Sequence, residues 1–116
     1  MSNRLIVALD VSGAEQARQI VSQLEGLVSF YKVGLELYTA AGTGFVRELV
    51  ERDLRVFLDL KLYDIGETVK RAVRQVARLG VDFLTVHGSG PVMRAAVEGR
   101  GDSRLKLLGV TVLTSF

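Results

Sequence analysis

Charged side chains inside an apolar stretch set the chemical question for this chain. The segment FLDLKLYDIGETV, residues 57–69, carries Asp59, Lys61, Asp64 and Glu67. With Lys32, the first three make an alternating set of two ammoniums and two carboxylates. Charges withdrawn from water persist when they are paired, and strongly perturbed pKa values are expected of such sets at catalytic sites. A lysine held between carboxylates stays protonated and can act as a general acid. A rigid carboxylate can repel a substrate anion, while the lysine receives charge that develops later in the reaction. That is differential stabilisation of a transition state. The same residues also fit an ion-pair network that only fixes strand register, because Asp-x-Lys-x-x-Asp is short enough to arise by chance.

These side chains need elements to position them, and the chain alternates strand-like and helix-like patterns. RLIVALD (4–10) is a short apolar run ending in an acid. Ala17, Ile20, Val21 and Leu24 recur at helical spacing. SFYKVG (29–34) reads as a second strand ending in glycine, and Phe45, Val46, Leu49 and Val50 mark the next helix. RVFLDLK (55–61) is a third strand, and Val69, Ala72, Val73, Val76 and Ala77 mark a helix stopped by Gly80. DFLTVHG (82–88) is a fourth strand, Pro91 to Glu98 a short helix, and LKLLGVTVLTSF (105–116) begins a fifth strand.

Repeated βα units predict an α/β fold with a parallel sheet covered by helices. The open choices are a doubly wound sheet and a (β/α)8 barrel. In strand three, Phe57, Asp59 and Lys61 share one parity, and Val56, Leu58 and Leu60 the other. A doubly wound sheet has helices on both faces and little room for charge on either. A TIM barrel opens at the C-terminal ends of its strands, where active sites sit. Asp10, Lys32, Asp59, Lys61 and His87 all fall at such ends. A complete barrel takes roughly 250 residues. The expectation is therefore about half a barrel, four βα units plus a fifth strand, spanning residues 1–116 without an internal boundary. It is either part of a longer protein or a half-barrel that finds a partner.

Composition narrows the function classes. At 48% hydrophobic and 24% charged, the 116-residue chain reads as globular. A formal net charge of +2 is too small to point to nucleic acid. Lys70, Arg74 and Arg78 share a helix face, which reads as solvated, with a binding patch the alternative. The absence of cysteine removes disulfides and thiolate metal sites. Neither a signal peptide nor a membrane-length apolar run is evident, so a cytoplasmic protein without membrane partners is expected.

The chain resembles the orotidine 5′-phosphate decarboxylase family. IVALDVSG (6–13) is similar to the family's first strand and turn, and FYKVGLELYTAAG (30–42) to its second strand and following loop. LDLKLYDIGETV (58–69) resembles its signature D-x-K-x-x-D-I-x-x-T. LTVHGSG (84–90) and GVTVLTS (109–115) resemble its fourth and fifth strands. The resemblance implies a homodimeric (β/α)8 barrel that uses no metal or organic cofactor and converts orotidine 5′-monophosphate to UMP and carbon dioxide in pyrimidine biosynthesis. It implies Lys61 as proton donor to C6 of the pyrimidine and Asp59 beside the departing carboxylate. Asp10 and Lys32 would bind the ribose hydroxyls, with Lys32 also ordering Asp59. Asp64, Ile65 and Thr68 would reach across the dimer interface into the partner's site. Thr114 would lie near the pyrimidine, with Ser115 a less certain neighbour.

The chain departs from the family pattern in places. The family commonly has Pro-Asn where this chain has Gly66-Glu67, and often His where it has Tyr63. His87 reads as a structural hydrogen-bonding residue, with substrate contact the alternative. Gly88 and Gly90 read as turn residues, and Tyr31, Tyr38 and the phenylalanines as core or interface. The family's phosphate grip falls near strands seven and eight, beyond Phe116. The bare chain is therefore expected to decarboxylate weakly or not at all, because remote binding energy drives closure and orientation. Two alternatives stand beside this reading. One is the magnesium-dependent 3-keto-gulonate 6-phosphate decarboxylase or hexulose phosphate synthase type, which shares D-x-K-x-x-D but lacks the Ile65…Thr68 pair and KVGLEL. The other is a non-catalytic half-barrel that self-associates through its strand edges.

Overall fold

The computed structural model describes residues 4–112. Its elements alternate as the sequence predicts: β1 (Val7–Ala8), α1 (Ala14–Gln23), β2 (Phe30–Gly34), α2 (Leu35–Glu51), β3 (Arg55–Leu62), α3 (Gly66–Leu79), β4 (Phe83–His87), α4 (Gly90–Arg100) and β5 (Lys106–Val110). In hydrogen-bonded order the strands run β1-β2-β3-β4-β5. The β1–β2, β2–β3 and β4–β5 pairs are parallel. Consecutive strands are therefore neighbours throughout. A doubly wound sheet reverses its strand order at a switch point, whereas a (β/α)8 architecture does not. Five parallel strands in sequential order, with a helix after each of the first four, are the α/β half-barrel pattern.

The chain packs as two compact units, Met1–Asp59 and Leu60–Phe116. In the first unit, Leu9, Tyr31, Val33, Val56 and Leu58 are fully buried on the strands. Ala17 and Val21 of α1 and Leu37, Phe45, Val46 and Leu49 of α2 are buried with them. Removing a side chain such as Leu58 from water is worth about 2 kcal/mol. The parity argument holds along this part of β3, because Val56 and Leu58 are buried while Phe57 and Asp59 are half-buried. Arg18 of α1 donates to both carboxylate oxygens of Glu48 on α2, at 2.9 and 3.1 Å from Nε. That bond and the Glu48 charge raise the Arg18 guanidinium's already high pKa.

In the second unit, α3 buries Val69, Val73, Val76 and Leu79, and α4 buries Val92, Ala95, Ala96 and Gly99. The two helices pack closely because small residues face the contact. A methyl group at Gly99 would overlap the Lys70 carbonyl oxygen and lie 3.0 Å from Val73 Cβ. Arg100 closes the turn into β5, donating to the carbonyl oxygens of Leu105 and Ser103 at 2.6 Å and of Gly101 at 3.2 Å. On the charged face of α3, Lys70 lies 3.6 Å from Glu98 of α4 and Arg71 pairs with Glu67 at 3.0 Å, while Arg74 and Arg78 are exposed.

Several boundaries differ from the sequence reading. The first strand covers only Val7–Ala8 rather than 4–10, and Leu5 and Ile6 are exposed ahead of it. The segment expected as a loop after β2 is helical from Leu35, with Leu37 buried. Gly42 interrupts that helix at φ 73° and ψ −171°, a conformation essentially reserved for glycine. Helix α3 begins at Gly66, ahead of its first apolar marker Val69, and its C-cap Gly80 is left-handed, as suits the glycine expected to stop it. The fifth strand ends at Val110. Thr114 and Ser115 lie outside the described residues.

Candidate active site

In the first unit, Lys32 stands mid-strand on β2, Asp59 lies in the C-terminal half of β3, and Asp10 follows β1 by two residues. Parallel register pairs Ala8 with Lys32 and Gly34 with Asp59. The Leu9 amide donates to the Lys32 carbonyl at 2.9 Å, which carries the chain onward to Asp10. Asp10 is exposed, and its Oδ1 lies 3.9 Å from where a methyl group on Gly34 would sit. Lys32 Nζ stands 3.9 Å from Asp59 Oδ2, with the two side chains 31% and 14% exposed. This is a loose, half-buried ion pair, and each partner offsets part of the other's desolvation.

The second unit carries Lys61, Asp64, Ile65 and Thr68. Lys61 adopts φ +49°, a left-handed conformation that is unusual for a long side chain. The β alternation therefore ends at this residue. Its amide donates to the Thr85 hydroxyl at 2.9 Å. Two residues on, the Tyr63 ring stacks on His87, with centroids 4.1 Å apart and planes 18° from parallel. Asp64 Oδ1 accepts the Ile65 amide at 2.7 Å. This carboxylate thus sits just ahead of α3, where the helix dipole favours negative charge. Ile65 is the N-cap residue of α3 and is 72% exposed, and Thr68 on the first turn is exposed as well. An isoleucine so exposed beside exposed Tyr63 forms an apolar tip at the head of the helix.

Two features were missed in the sequence. The strained backbone at Lys61 leaves no mark, since Lys is not a residue that advertises positive φ. Thr85 had a weak signal: with His87 it places polar residues at alternate positions of the otherwise apolar strand FLTVH. Among the described residues, no three His, Cys, Asp or Glu side chains group closely enough to hold a metal ion, and no helix is long and apolar enough to cross a membrane.

The chain is 59% identical over 112 residues to a protein named orotidine 5′-phosphate decarboxylase from Nitrobacter winogradskyi, a match covering 97% of this chain and 47% of the relative. It is 53% identical over 112 residues to a protein of the same name from Caulobacter vibrioides, covering 97% of this chain and 48% of that one. The chain thus spans about half the length of the curated relatives it matches. Among solved structures, it superposes on an orotidine 5′-phosphate decarboxylase from Lactobacillus acidophilus with a TM-score of 0.85 at 38% identity. That superposition covers 95% of this chain and 53% of the other. A family model described as Orotidine 5′-phosphate decarboxylase / HUMPS family matches residues 3–116, and the chain belongs to that family.

Proposed function

We propose that this chain carries the base- and ribose-binding half of an orotidine 5′-monophosphate decarboxylase, with Lys61 as the proton donor. The observation that carries the reading is the Lys32–Asp59 pair between neighbouring strands β2 and β3, with Lys61 two residues further along β3. In this reading Asp59 stands beside the substrate carboxylate and destabilises it by like charge. Loss of carbon dioxide leaves an electron pair at C6, and the Lys61 ammonium delivers a proton there to give UMP. The favourable interaction with the ammonium grows as charge develops, so it lowers the barrier rather than only tightening binding. Asp10 and Lys32 hold the ribose hydroxyls; Thr114, outside the described residues, is assigned to the pyrimidine by the family resemblance alone. No metal or organic cofactor enters this scheme.

The homodimeric state belongs to the same proposal, with Asp64, Ile65 and Thr68 entering the partner's site. The 72% exposure of Ile65 and the exposure of Thr68 support a role outside their own unit's core. The de novo pyrimidine pathway and a cytoplasmic setting follow from the same reading. Because the chain spans about half of its relatives, turnover by it alone is expected to be weak. The test follows consumption of orotidine 5′-monophosphate by absorbance, with Lys61→Ala alongside. Measurable loss of substrate that disappears in Lys61→Ala supports the assignment, whereas equal rates for the two proteins remove Lys61 from its role.

A further inference from the structure

Lys61 is an exposed residue with a strained backbone, and strained residues persist only where surrounding structure over-determines them. The neighbouring strand supplies two contacts. Thr85 Oγ1 accepts the Lys61 amide at 2.9 Å, and Thr85 is only 5% exposed. His87 stacks on Tyr63 at 4.1 Å. Thr85 and His87 are two residues apart on β4, as Lys61 and Tyr63 are along the chain they touch, so one parity of β4 meets both. Elsewhere parallel strands exchange main-chain bonds, but here a side-chain hydroxyl receives the amide. A threonine hydroxyl reaches further from its strand than a carbonyl does, and so suits a backbone that has left regular β geometry.

We propose that Thr85 and His87 are positioning residues: they form a two-point brace that fixes the left-handed turn at Lys61 and thereby the place of its ammonium. The proposal rests on the proton-donor reading of Lys61 for its catalytic consequence, but not for its structural one. Thr85→Val keeps the shape and removes the acceptor, while Thr85→Ser keeps the acceptor and loses only a methyl group. A stack survives His87→Phe and is lost in His87→Ala.

The experiment measures hydrogen exchange of individual backbone amides by NMR, together with turnover of orotidine 5′-monophosphate. In Thr85→Val the Lys61 amide is expected to exchange on the order of tenfold faster, the size of one lost hydrogen bond. The Leu84 and Val86 amides are expected to keep their protection, and Thr85→Ser to restore it at Lys61. His87→Ala is expected to speed exchange at Lys61 and Tyr63, and His87→Phe to leave it unchanged. In turnover, Thr85→Val is expected to lower kcat by about tenfold with little change in KM, because a displaced proton donor weakens the transition state and not substrate binding. Thr85→Ser is expected to recover kcat. Unchanged exchange at Lys61 in Thr85→Val overturns the brace. Equal loss of protection across β4 overturns it too, since that marks general loosening. If wild type and Lys61→Ala turn over alike, the proton-donor reading fails, while the exchange data still decide the brace.

Discussion

Lys32 and Asp59 meet at 3.9 Å across adjacent parallel strands, β2 and β3, with the carboxylate the more deeply buried of the two. An ammonium and a carboxylate so placed are coupled, and removing one leaves the other poorly solvated. Lys32→Met is expected to destabilise the chain by about 1 kcal/mol, and Asp59→Asn by less, because Lys32 is the more exposed of the two and its charge is better solvated once its partner is neutral. The double variant is expected to lose less than the two singles added together, by roughly 0.5 kcal/mol or more. Urea denaturation of the four proteins measures this cycle. Strict additivity would show that the two charges do not sense each other.

The left-handed backbone at Lys61 makes a separate prediction about stability. A non-glycine residue at φ +49° carries a steric cost that glycine does not. Lys61→Gly is therefore expected to be more stable than Lys61→Ala by about 1 kcal/mol, the reverse of what glycine does inside a regular strand. Both variants lack the amine, so the comparison isolates the backbone. Thermal unfolding of the two measures the difference, and a less stable glycine variant would rule out strain at this position.

Helix packing in the second unit depends on a residue with no side chain. A methyl group at Gly99 would overlap the Lys70 carbonyl oxygen. Backbone cannot yield as the tip of a flexible side chain can, so α4 has to shift away from α3. Gly99→Ala is expected to cost about 2–3 kcal/mol despite alanine's better helix propensity. By contrast, a methyl group at Gly13 meets nothing within 4 Å, so Gly13→Ala is expected to be close to neutral. Chemical denaturation of the pair tests this, and an equally mild Gly99→Ala would mean that the helices separate at little cost.

Tyr31 is fully buried on β2, and its hydroxyl donates to the Val28 carbonyl at 3.4 Å. Burial raises its pKa, with the nearby Arg52 charge opposing. For a group whose pKa is higher when folded, the stabilising contribution is complete below the unfolded value of about 10 and is lost as pH rises from there through the folded value. Tyr31→Phe is expected to cost about 1 kcal/mol at pH 7 through the lost hydrogen bond. The gap between wild type and variant is expected to shrink above about pH 10, because only wild type must keep a phenol neutral. Equilibrium unfolding at a series of pH values measures that gap, and a constant difference would contradict the assignment.

Much of this fold was legible because its signals are local. The Val56–Leu58 against Phe57–Asp59 alternation gave the buried side of β3, and Gly80 gave the end of α3. The strand order followed from repeated βα units, and the sequential arrangement fits the uneven distribution of charge. What could not be read depends on tertiary contact. Leu35 to Ala41 form helix because Leu37 finds a buried place, and the run's ordinary composition did not require it. The positive φ at Lys61 is imposed by its surroundings, with Thr85 holding its amide. Spacing makes Asp64 a member of the charge array, and it does not show that its Oδ1 also accepts the Ile65 amide at the head of α3. Side-chain spacing shows which charges are near in sequence, but hydrogen-bond competition settles where each one points.

The most direct measurement of the central claim is a titration of the isotopically labelled chain with UMP, read as amide shifts residue by residue. The account predicts perturbation centred on Asp10, Lys32, Asp59 and Lys61, weak in affinity and diminished by Lys32→Met. Shifts that avoid these four residues, or that fall on the outer faces of the helices, would contradict it.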